Sequence, residues 1–170
     1  MSKQATQEIL RIVNEITKVH PEGEAFFDAL DEQLSSTQNR WFILDAIRMI
    51  PKSHTLILSG GFGKTIADLI DSGWIRKRNY VLFKGGVRSG KTPTIIRQSA
   101  KIDKHSTFLD DSIYGGATYY IIKEFIEKNE LFPSPKKCIA IYDGCPKERN
   151  DVSSLFRYYD FFQAKPNYQF

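Results

Sequence analysis

The first fifty residues carry apolar side chains at intervals of three and four, which is the spacing of an amphipathic helix. The first such stretch contains Ile9, Ile12, Val13, Ile16 and Val19. It closes at His20-Pro21-Glu22-Gly23, where proline and glycine interrupt the pattern. The pattern therefore predicts one amphipathic helix at the start of the chain.

Two shorter helices are predicted before residue 52. The apolar face of the first of these contains Ala25, Phe26, Ala29 and Leu30. The next helix could be capped by Thr37 or Asn39, and it ends at Pro51. Its predicted apolar positions are Trp41, Leu44, Ile47 and Met49.

From His54 onward, short apolar runs alternate with glycine-bearing loops and helical segments, which is typical of βαβ units. The pattern predicts strands at 55–58, 80–83, 107–109 and 137–142, and helices at 65–71 and 119–128. A parallel sheet flanked by helices is the simplest arrangement of these elements. The predicted fold class is therefore α/β.

The length of 170 residues, 41% of them hydrophobic, suits a single buried core. We expect one domain over 1–170. It comprises a helical N-terminal extension at 1–52, an α/β core at 53–145 with a flexible loop at about 84–104, and an aromatic C-terminal segment at 146–170.

The sequence SGGFGKT, from Ser59 to Thr65, joins a predicted strand to a predicted helix. Glycines at such a junction let backbone N–H groups approach a ligand, and the helix N-terminus favours an anion. This pattern indicates a phosphate-binding loop. A glycine-rich turn that only permits tight packing of strand and helix explains it equally well.

A second strand-to-helix junction, STFLDDSIYGGATYY, places two adjacent carboxylates directly after an apolar run. Asp110 and Asp111 could accept hydrogen bonds from neighbouring hydroxyls of a sugar. The amides that follow, together with Thr118, could enclose a phosphate at the start of the helix. The alternative is an exposed Asp-Asp turn without a ligand.

These residues resemble the type I phosphoribosyltransferases. Their signature for 5-phosphoribosyl 1-diphosphate (PRPP) is an apolar strand, two acidic residues, and a loop with glycine and threonine. TFLDDSIYGGAT follows that pattern, and its DDSI portion is most similar to the glutamine-dependent amidotransferase branch. HTLILSGGFGKTIADLI resembles the family's earlier strand, diphosphate loop and helix, so the resemblance covers about half of the chain, His54 to Asp143.

The resemblance implies a role for each loop. Asp110 and Asp111 would hold the ribose hydroxyls and contact magnesium through those hydroxyls or water. The 5-phosphate would be enclosed by Ser112, Ile113, Tyr114, Gly115, Gly116, Ala117 and Thr118. The diphosphate with its magnesium would be received by Ser59, Gly60, Gly61, Phe62, Gly63, Lys64 and Lys84. The region 84–104 would be a lid whose cations, Lys84, Arg88, Lys91 and Arg97, neutralise the departing diphosphate.

Two features set this chain apart within the family pattern. Tyr114 stands where the hypoxanthine-type enzymes place an aspartate that handles the base proton, and Gly115 stands where many members have threonine. An acceptor of the hypoxanthine type is therefore not expected. With about fifty residues before the α/β core, a complete amidotransferase with a glutaminase domain is not expected either. The helical extension could instead serve as an acceptor-binding hood or as a homodimer surface.

The aromatic C-terminal segment offers a second place for an acceptor. Its aromatic residues are Phe156, Tyr158, Tyr159, Phe161 and Phe162. They could stack on a planar base or simply belong to the core.

The sequence GGVRSGKT, from Gly85 to Thr92, matches the phosphate loop of nucleoside-triphosphate enzymes and follows an apolar run. Only seventeen residues separate Thr92 from Asp110, which must then contain a helix, a turn and a strand. The β-branched residues after Thr92 fit a hairpin arm equally well. A triphosphate-dependent kinase or hydrolase therefore remains the less favoured alternative.

Charge and cysteine content limit the remaining function classes. The formal net charge is +4, which suits a phosphorylated small molecule about as well as nucleic acid. A basic patch from Arg76-Lys77-Arg78 with Lys84, Arg88 and Lys91 could bind nucleic acid, but no known nucleic-acid module accompanies it. Cys138 and Cys145 lack the spacing of a zinc site. No apolar run approaches membrane-spanning length, so a cytoplasmic protein is expected.

The favoured function at this level is a magnesium-dependent phosphoribosyltransferase of nucleotide metabolism. It would transfer the phosphoribosyl group to a nucleobase-like or amine acceptor and release diphosphate. The alternative is a non-catalytic module that binds PRPP or a nucleotide and signals to a partner.

Overall fold

The computed structural model describes residues 3–21, 24–145 and 147–157. The helices are α1 Lys3–Val19, α2 Glu24–Leu34, α3 Arg40–Arg48, α4 Gly60–Asp71 and α5 Ala117–Lys128. The strands are β1 His54–Ser59, β2 Tyr80–Phe83, β3 Ile95–Gln98, β4 His105–Ile113, β5 Cys138–Asp143 and β6 Val152–Arg157. None of the described helices is both long enough and apolar enough to cross a membrane.

The six strands form a sheet in the order β3-β2-β1-β4-β5-β6. All neighbouring strands are parallel except β2 and β3, which are antiparallel. The chain leaves β1 through α4 toward β2, whereas it leaves β4 through α5 toward β5, in the opposite direction. In sheets of this kind a ligand crevice opens where the direction reverses, outside the carboxyl ends of the two strands. Here that position lies between β1 and β4.

Alternating apolar side chains cover both faces of the sheet. Leu56 and Leu58 of β1 belong to a buried cluster that includes residues of α1, α2, α3 and α4. Ile57, between them, belongs to a second cluster with α5. Strands that are buried on both faces read as continuous apolar runs, which is why β1, β2 and β5 could be predicted from sequence.

The predicted positions of α1 and α2 are confirmed, but the predicted apolar face of α3 is wrong in part. α3 buries Phe42, Ile43, Ala46 and Ile47, whereas Trp41 and Met49 are 43% and 40% exposed. Four consecutive apolar residues, 41–44, fit two different helix faces, so the spacing alone could not choose between them. Asn39 is the N-cap residue of α3, one of the two predicted positions, but its side chain makes no cap hydrogen bond.

Two helices begin earlier, and one strand ends later, than the sequence pattern predicts. α4 begins at Gly60 rather than Thr65, and α5 begins at Ala117 rather than Tyr119. β4 continues through the acidic pair to Ile113, because its backbone pairs with β5 at Asp110 and Ser112. The carboxylates therefore belong to a strand end and not to a loop.

The segment after β2 excludes the triphosphate-enzyme alternative. A short 3-10 turn, Val87–Ser89, is followed by β3, which pairs with β2 as the second arm of a hairpin. A phosphate loop of that class requires a helix directly after Thr92, and residues 93–104 contain none. The match of GGVRSGKT to that motif is therefore coincidental.

Gly63 is required for the packing of α4 on the sheet. A Cβ at this position would lie 3.0 Å from the backbone carbon of Leu58 and 3.0 Å from the Leu82 side chain. We predict that Gly63→Val lowers the free energy of unfolding by about 2 kcal/mol more than Gly61→Val does. Gly61 is the matched control, since a Cβ there meets nothing within 4 Å. Equal denaturation midpoints for the two variants would contradict this packing role.

Candidate active site

A cavity of about 360 Å³ opens at the carboxyl ends of β1 and β4. Four segments line it: the β1–α4 junction, the loop after β2, the β4–α5 junction and the C-terminal half of α2. Both loops that the sequence singled out therefore meet in one cavity, at the position where the sheet topology places a ligand. The third and fourth walls come from the predicted lid and from the helical extension.

The β1–α4 wall consists of Ser59, Gly60, Gly61 and Phe62. Because α4 begins at Gly60, its first backbone N–H groups have no partner within the helix and are available to an anion. Gly60 has a φ of 65°, and a Cβ on Gly85 would lie 3.1 Å from the Gly60 Cα. The missing side chains let the loop after β2 pass directly over the start of α4.

Two members of the predicted diphosphate set on α4 do not reach the cavity. Lys64 lies on the exposed side of α4, where its Nζ donates a hydrogen bond to Asp68 over 2.9 Å. Gly63 faces the sheet. Both interpretations of the glycine-rich sequence therefore apply to different residues. Gly60 and Gly61 line the cavity, and Gly63 permits the close packing of α4 on the sheet.

The β4–α5 wall contains Ser112, Ile113, Tyr114, Gly116, Ala117 and Thr118. Gly116 precedes α5 with a φ of 83°, and a Cβ there would lie 2.7 Å from the Tyr120 ring. Gly115 is exposed and does not line the cavity. The wall therefore presents the free N–H groups of a second helix start, and α5 is 12 residues long.

The acidic pair lies between these two helix starts. Asp110 accepts a hydrogen bond from the Asp111 backbone N–H over 2.9 Å, and Asp111 accepts one from the Ser112 N–H over 2.7 Å. The Ser35 hydroxyl donates to the other oxygen of Asp111. Burial, together with the neighbouring Asp111 charge, raises the pKa of Asp110 well above its usual value. A ligand that brings hydroxyl donors or a cation would relieve this cost.

Asp31 of α2 is a site residue that the sequence did not reveal. The Tyr114 hydroxyl donates to its carboxylate over 3.3 Å. Burial and the Asp111 charge raise the pKa of Asp31 to about 6, although hydrogen bonds from Ser112 and Tyr114 and the Arg88 charge oppose the shift. In the sequence, Asp31 is marked only by its position next to the apolar Leu30 on an amphipathic helix. Many surface carboxylates share that position, so it does not identify a site residue.

Arg88 is the only cation among the described residues that line the cavity. Its charge acts on both Asp31 and Asp110. Lys84 and Lys91 are exposed at the two ends of the loop, outside the cavity lining. Arg97 of β3 pairs instead with Asp68 and Asp71 of α4, over 2.9 and 3.0 Å, so it joins β3 to the outer side of α4.

One residue in each of two other predicted ligand surfaces is buried and does not face a ligand. Arg78 of the predicted basic patch is buried and donates to the backbone oxygens of Ile50 and Pro51. Phe156 is buried against Phe42, with ring centroids 5.6 Å apart, and is a core residue. The other four aromatic residues of its proposed cluster, at 158, 159, 161 and 162, lie outside the described residues.

The donor atoms at the acidic pair suit magnesium that arrives with a phosphorylated ligand. Magnesium takes oxygen ligands, and it is usually held by one or two carboxylates together with phosphate oxygens and water. Among the residues that the structure describes, no group of three or more His, Cys, Asp or Glu side chains could hold a metal ion. Asp110 and Asp111 would therefore share the ion with the ligand.

The raised pKa of Asp31 predicts how stability depends on pH. Because its pKa is higher in the folded protein than in the unfolded chain, the carboxyl contributes stability below about pH 4 that is lost as the pH rises through 6. We predict that Asp31→Asn raises the free energy of unfolding at pH 8 by about 1 to 2 kcal/mol. The gain should disappear at pH 4. A stabilisation that is independent of pH would contradict this explanation.

Comparisons with known proteins identify the fold. No protein-family model matches the chain, and no curated protein matches it in sequence. Among solved structures, orotate phosphoribosyltransferase from Aeropyrum pernix matches with a TM-score of 0.50 and 12% identity, over 81% of this chain and 80% of that one. The chain has the fold of the type I phosphoribosyltransferases.

Two further structures were found with lower TM-scores. Orotate phosphoribosyltransferase from Francisella tularensis matches with a TM-score of 0.47 and 12% identity, over 81% of this chain and 73% of that one. Purine phosphoribosyltransferase from Pyrococcus horikoshii matches with a TM-score of 0.39 and 20% identity, over 69% and 83%. At these identities the similarity concerns the phosphoribosyltransferase fold and not the acceptor.

Proposed function

We propose that this protein binds PRPP with magnesium in the cavity between β1 and β4. It transfers the 5-phosphoribosyl group to a nucleobase-like or amine acceptor and releases diphosphate. The observation that supports this most strongly is the placement of two helix starts and a buried carboxylate pair around one cavity. PRPP carries an anion at each end of a sugar with two adjacent hydroxyls, and this arrangement offers a partner for each part.

The 5-phosphate is assigned to the start of α5. Backbone N–H groups from Ala117 onward, and the Thr118 hydroxyl, would donate to its oxygens. The αL conformation of Gly116 brings the chain into this helix without a side chain over the cavity. The adjoining Ser112, Ile113, Tyr114 and Gly115 belong to the same proposed set.

The ribose and its magnesium are assigned to Asp110 and Asp111. Each carboxylate would accept a hydrogen bond from one ribose hydroxyl, which replaces the repulsion between the two charges with favourable contacts. When bound, the magnesium ion neutralises phosphate charge and favours departure of the diphosphate. The two carboxylates also favour the positive charge that develops on the sugar ring during the reaction.

The diphosphate is assigned to the start of α4 and to the loop after β2. Ser59, Gly60, Gly61 and Phe62 supply the wall, and Arg88 supplies a positive charge inside the cavity. Lys84 and Lys91 would join Arg88 when the loop closes. In the reaction the C1–O bond breaks and its electron pair leaves with the diphosphate, while a nitrogen of the acceptor forms the new bond to C1.

Diphosphate release tests the proposed activity. The protein would be incubated with PRPP, magnesium and pooled nucleobases and amines, and both diphosphate and phosphoribosylated products would be measured. We expect diphosphate and product in equal amounts. PRPP binding with no product from any acceptor would favour the non-catalytic sensor instead.

A further inference from the structure

The acceptor must approach C1 from a side that the phosphates do not occupy. In the proposed function, which this inference presumes, the starts of α4 and α5 hold the two phosphate groups. The remaining wall is the C-terminal end of α2, where Asp31 and, directly after the helix, Ser35 line the cavity. Ser35 already donates to Asp111, which leaves Asp31 as the carboxylate on this wall of the cavity.

The hydroxyls that contact Asp31 fix its position. Tyr114 donates to it over 3.3 Å, and Ser112 is also hydrogen-bonded to it. Tyr114 is held in turn by edge-to-face contacts with the rings of Phe27 and Tyr142, at 5.6 and 6.1 Å between centroids. A carboxylate accepts up to about four hydrogen bonds, so Asp31 retains capacity for a donor on a ligand.

Negatively charged side chains outnumber positively charged ones in the described lining of the cavity. Among the described residues that line it, three are carboxylates, Asp31, Asp110 and Asp111, and one is a guanidinium, Arg88. Arg88 lies on the loop assigned to the diphosphate, and α2 contributes no cation to the described lining. An acceptor that carries its own carboxylate would therefore meet a like charge at Asp31 without a compensating partner.

We infer that Asp31 binds an N–H group of the acceptor, and that the acceptor is a neutral nucleobase or a cationic amine rather than a carboxylate-bearing ring. The nitrogen attacks C1 as the C1–O bond to diphosphate breaks. A neutral acceptor passes its N–H proton to the Asp31 carboxylate as the new bond forms, whereas a cationic amine first gives one N–H proton to Asp31, which frees the lone pair that attacks C1. The electron pair of the broken C1–O bond leaves on the diphosphate. The products are therefore the phosphoribosylated acceptor, free diphosphate and a protonated Asp31.

Uracil and orotate provide a matched pair of probes, because they differ by one carboxylate. Adenine, hypoxanthine and a primary amine extend the neutral and cationic set, and nicotinate extends the anionic set. Initial rates of diphosphate release with PRPP and magnesium would be measured for wild type, Asp31→Asn and the control Asp28→Asn. Asp28 is exposed on the same helix and lies outside the cavity lining. Calorimetric binding of PRPP with magnesium to each protein is the second readout.

We expect at least one neutral or cationic acceptor to give a kcat/KM at least 100-fold above that of any anionic acceptor. Asp31→Asn should lower that kcat/KM by about 10- to 100-fold, since it removes the ionised acceptor of the N–H hydrogen bond and proton. PRPP affinity should change less than threefold, and Asp31→Glu should restore part of the rate. Asp28→Asn should match wild type in both readouts.

Two results would overturn the inference while leaving the proposed function in place: preference for orotate or nicotinate, or equal rates for wild type and Asp31→Asn. PRPP binding without turnover of any acceptor would overturn the proposed transfer itself and favour the non-catalytic sensor. Failure of the wild type to bind PRPP would overturn the proposed function, and the acceptor assignment with it. The binding readout therefore separates the two failures.

Discussion

Replacing both members of the acidic pair, Asp110→Asn with Asp111→Asn, is expected to lower diphosphate release by about a thousandfold or more. The two carboxylates are the groups assigned to the ribose hydroxyls, to magnesium and to the positive charge of the transition state. Asparagine keeps the size of each side chain but removes both negative charges. The measurement is the initial rate with saturating PRPP and magnesium and the best acceptor found.

The same variant should be at least as stable as the wild type at neutral pH. The pKa of Asp110 is raised in the folded protein, so its ionisation opposes folding and the stability it contributes at low pH is lost as pH rises. Asparagine removes that cost. The control is Asp28→Asn with Glu32→Gln, which removes two exposed charges from α2. Full activity of the acidic-pair variant would contradict the catalytic assignment. Failure of that variant to fold would contradict the expected effect on stability.

Replacing the cation that lines the cavity, Arg88→Met, is expected to lower kcat/KM for PRPP by about 100-fold. Arg88 lines the cavity, and its charge lowers the pKa of both Asp31 and Asp110. Its loss should therefore also move the acid limb of the pH–rate profile to higher pH. Steady-state rates between pH 5 and 9 would measure both effects.

Lys91→Met and Arg76→Met are controls for Arg88→Met. They show whether the loss of rate comes from the position of Arg88 in the cavity or from the loss of any positive charge. Lys91 lies on the same loop but outside the cavity lining, so a smaller loss is expected, below about tenfold. Arg76 is exposed and lies outside the cavity lining, so its replacement should leave the rate unchanged. A larger loss for Lys91→Met than for Arg88→Met would show that loop closure exchanges the two side chains.

Four of the six strands and both strand-to-helix junctions could be predicted, because their residues form continuous apolar runs followed by glycine. The starts of α4 and α5 were predicted five and two residues too late, and β3 and β6 were not predicted as strands. β2 was predicted with its observed bounds, since Tyr80–Phe83 is buried on both faces. The end of β4 could not be predicted in the same way. Asp110 and Asp111 disfavour a strand locally, and only the pairing with β5 extends β4 through them.

The positions of Asp31 and Arg88 depend on contacts that no local pattern encodes. Asp31 reaches the cavity because α2 packs on the same face of the sheet as α4, far from β4 in sequence. Arg88 was one of four basic residues singled out among the six in the predicted lid. The hairpin of β2 and β3 determines which of these side chains reaches the cavity. It places Arg97 against Asp68 and Asp71 of α4, and it places Arg88 at the cavity.

Calorimetric titration tests most directly whether the cavity between β1 and β4 binds PRPP with magnesium. Wild-type protein would be titrated with PRPP, with and without magnesium, and again in the presence of ATP as a competitor. We predict saturable binding of PRPP that is tighter with magnesium, is not displaced by ATP, and is lost in the Asp110→Asn/Asp111→Asn variant. Absence of PRPP binding, or preference for ATP, would contradict the proposed PRPP site.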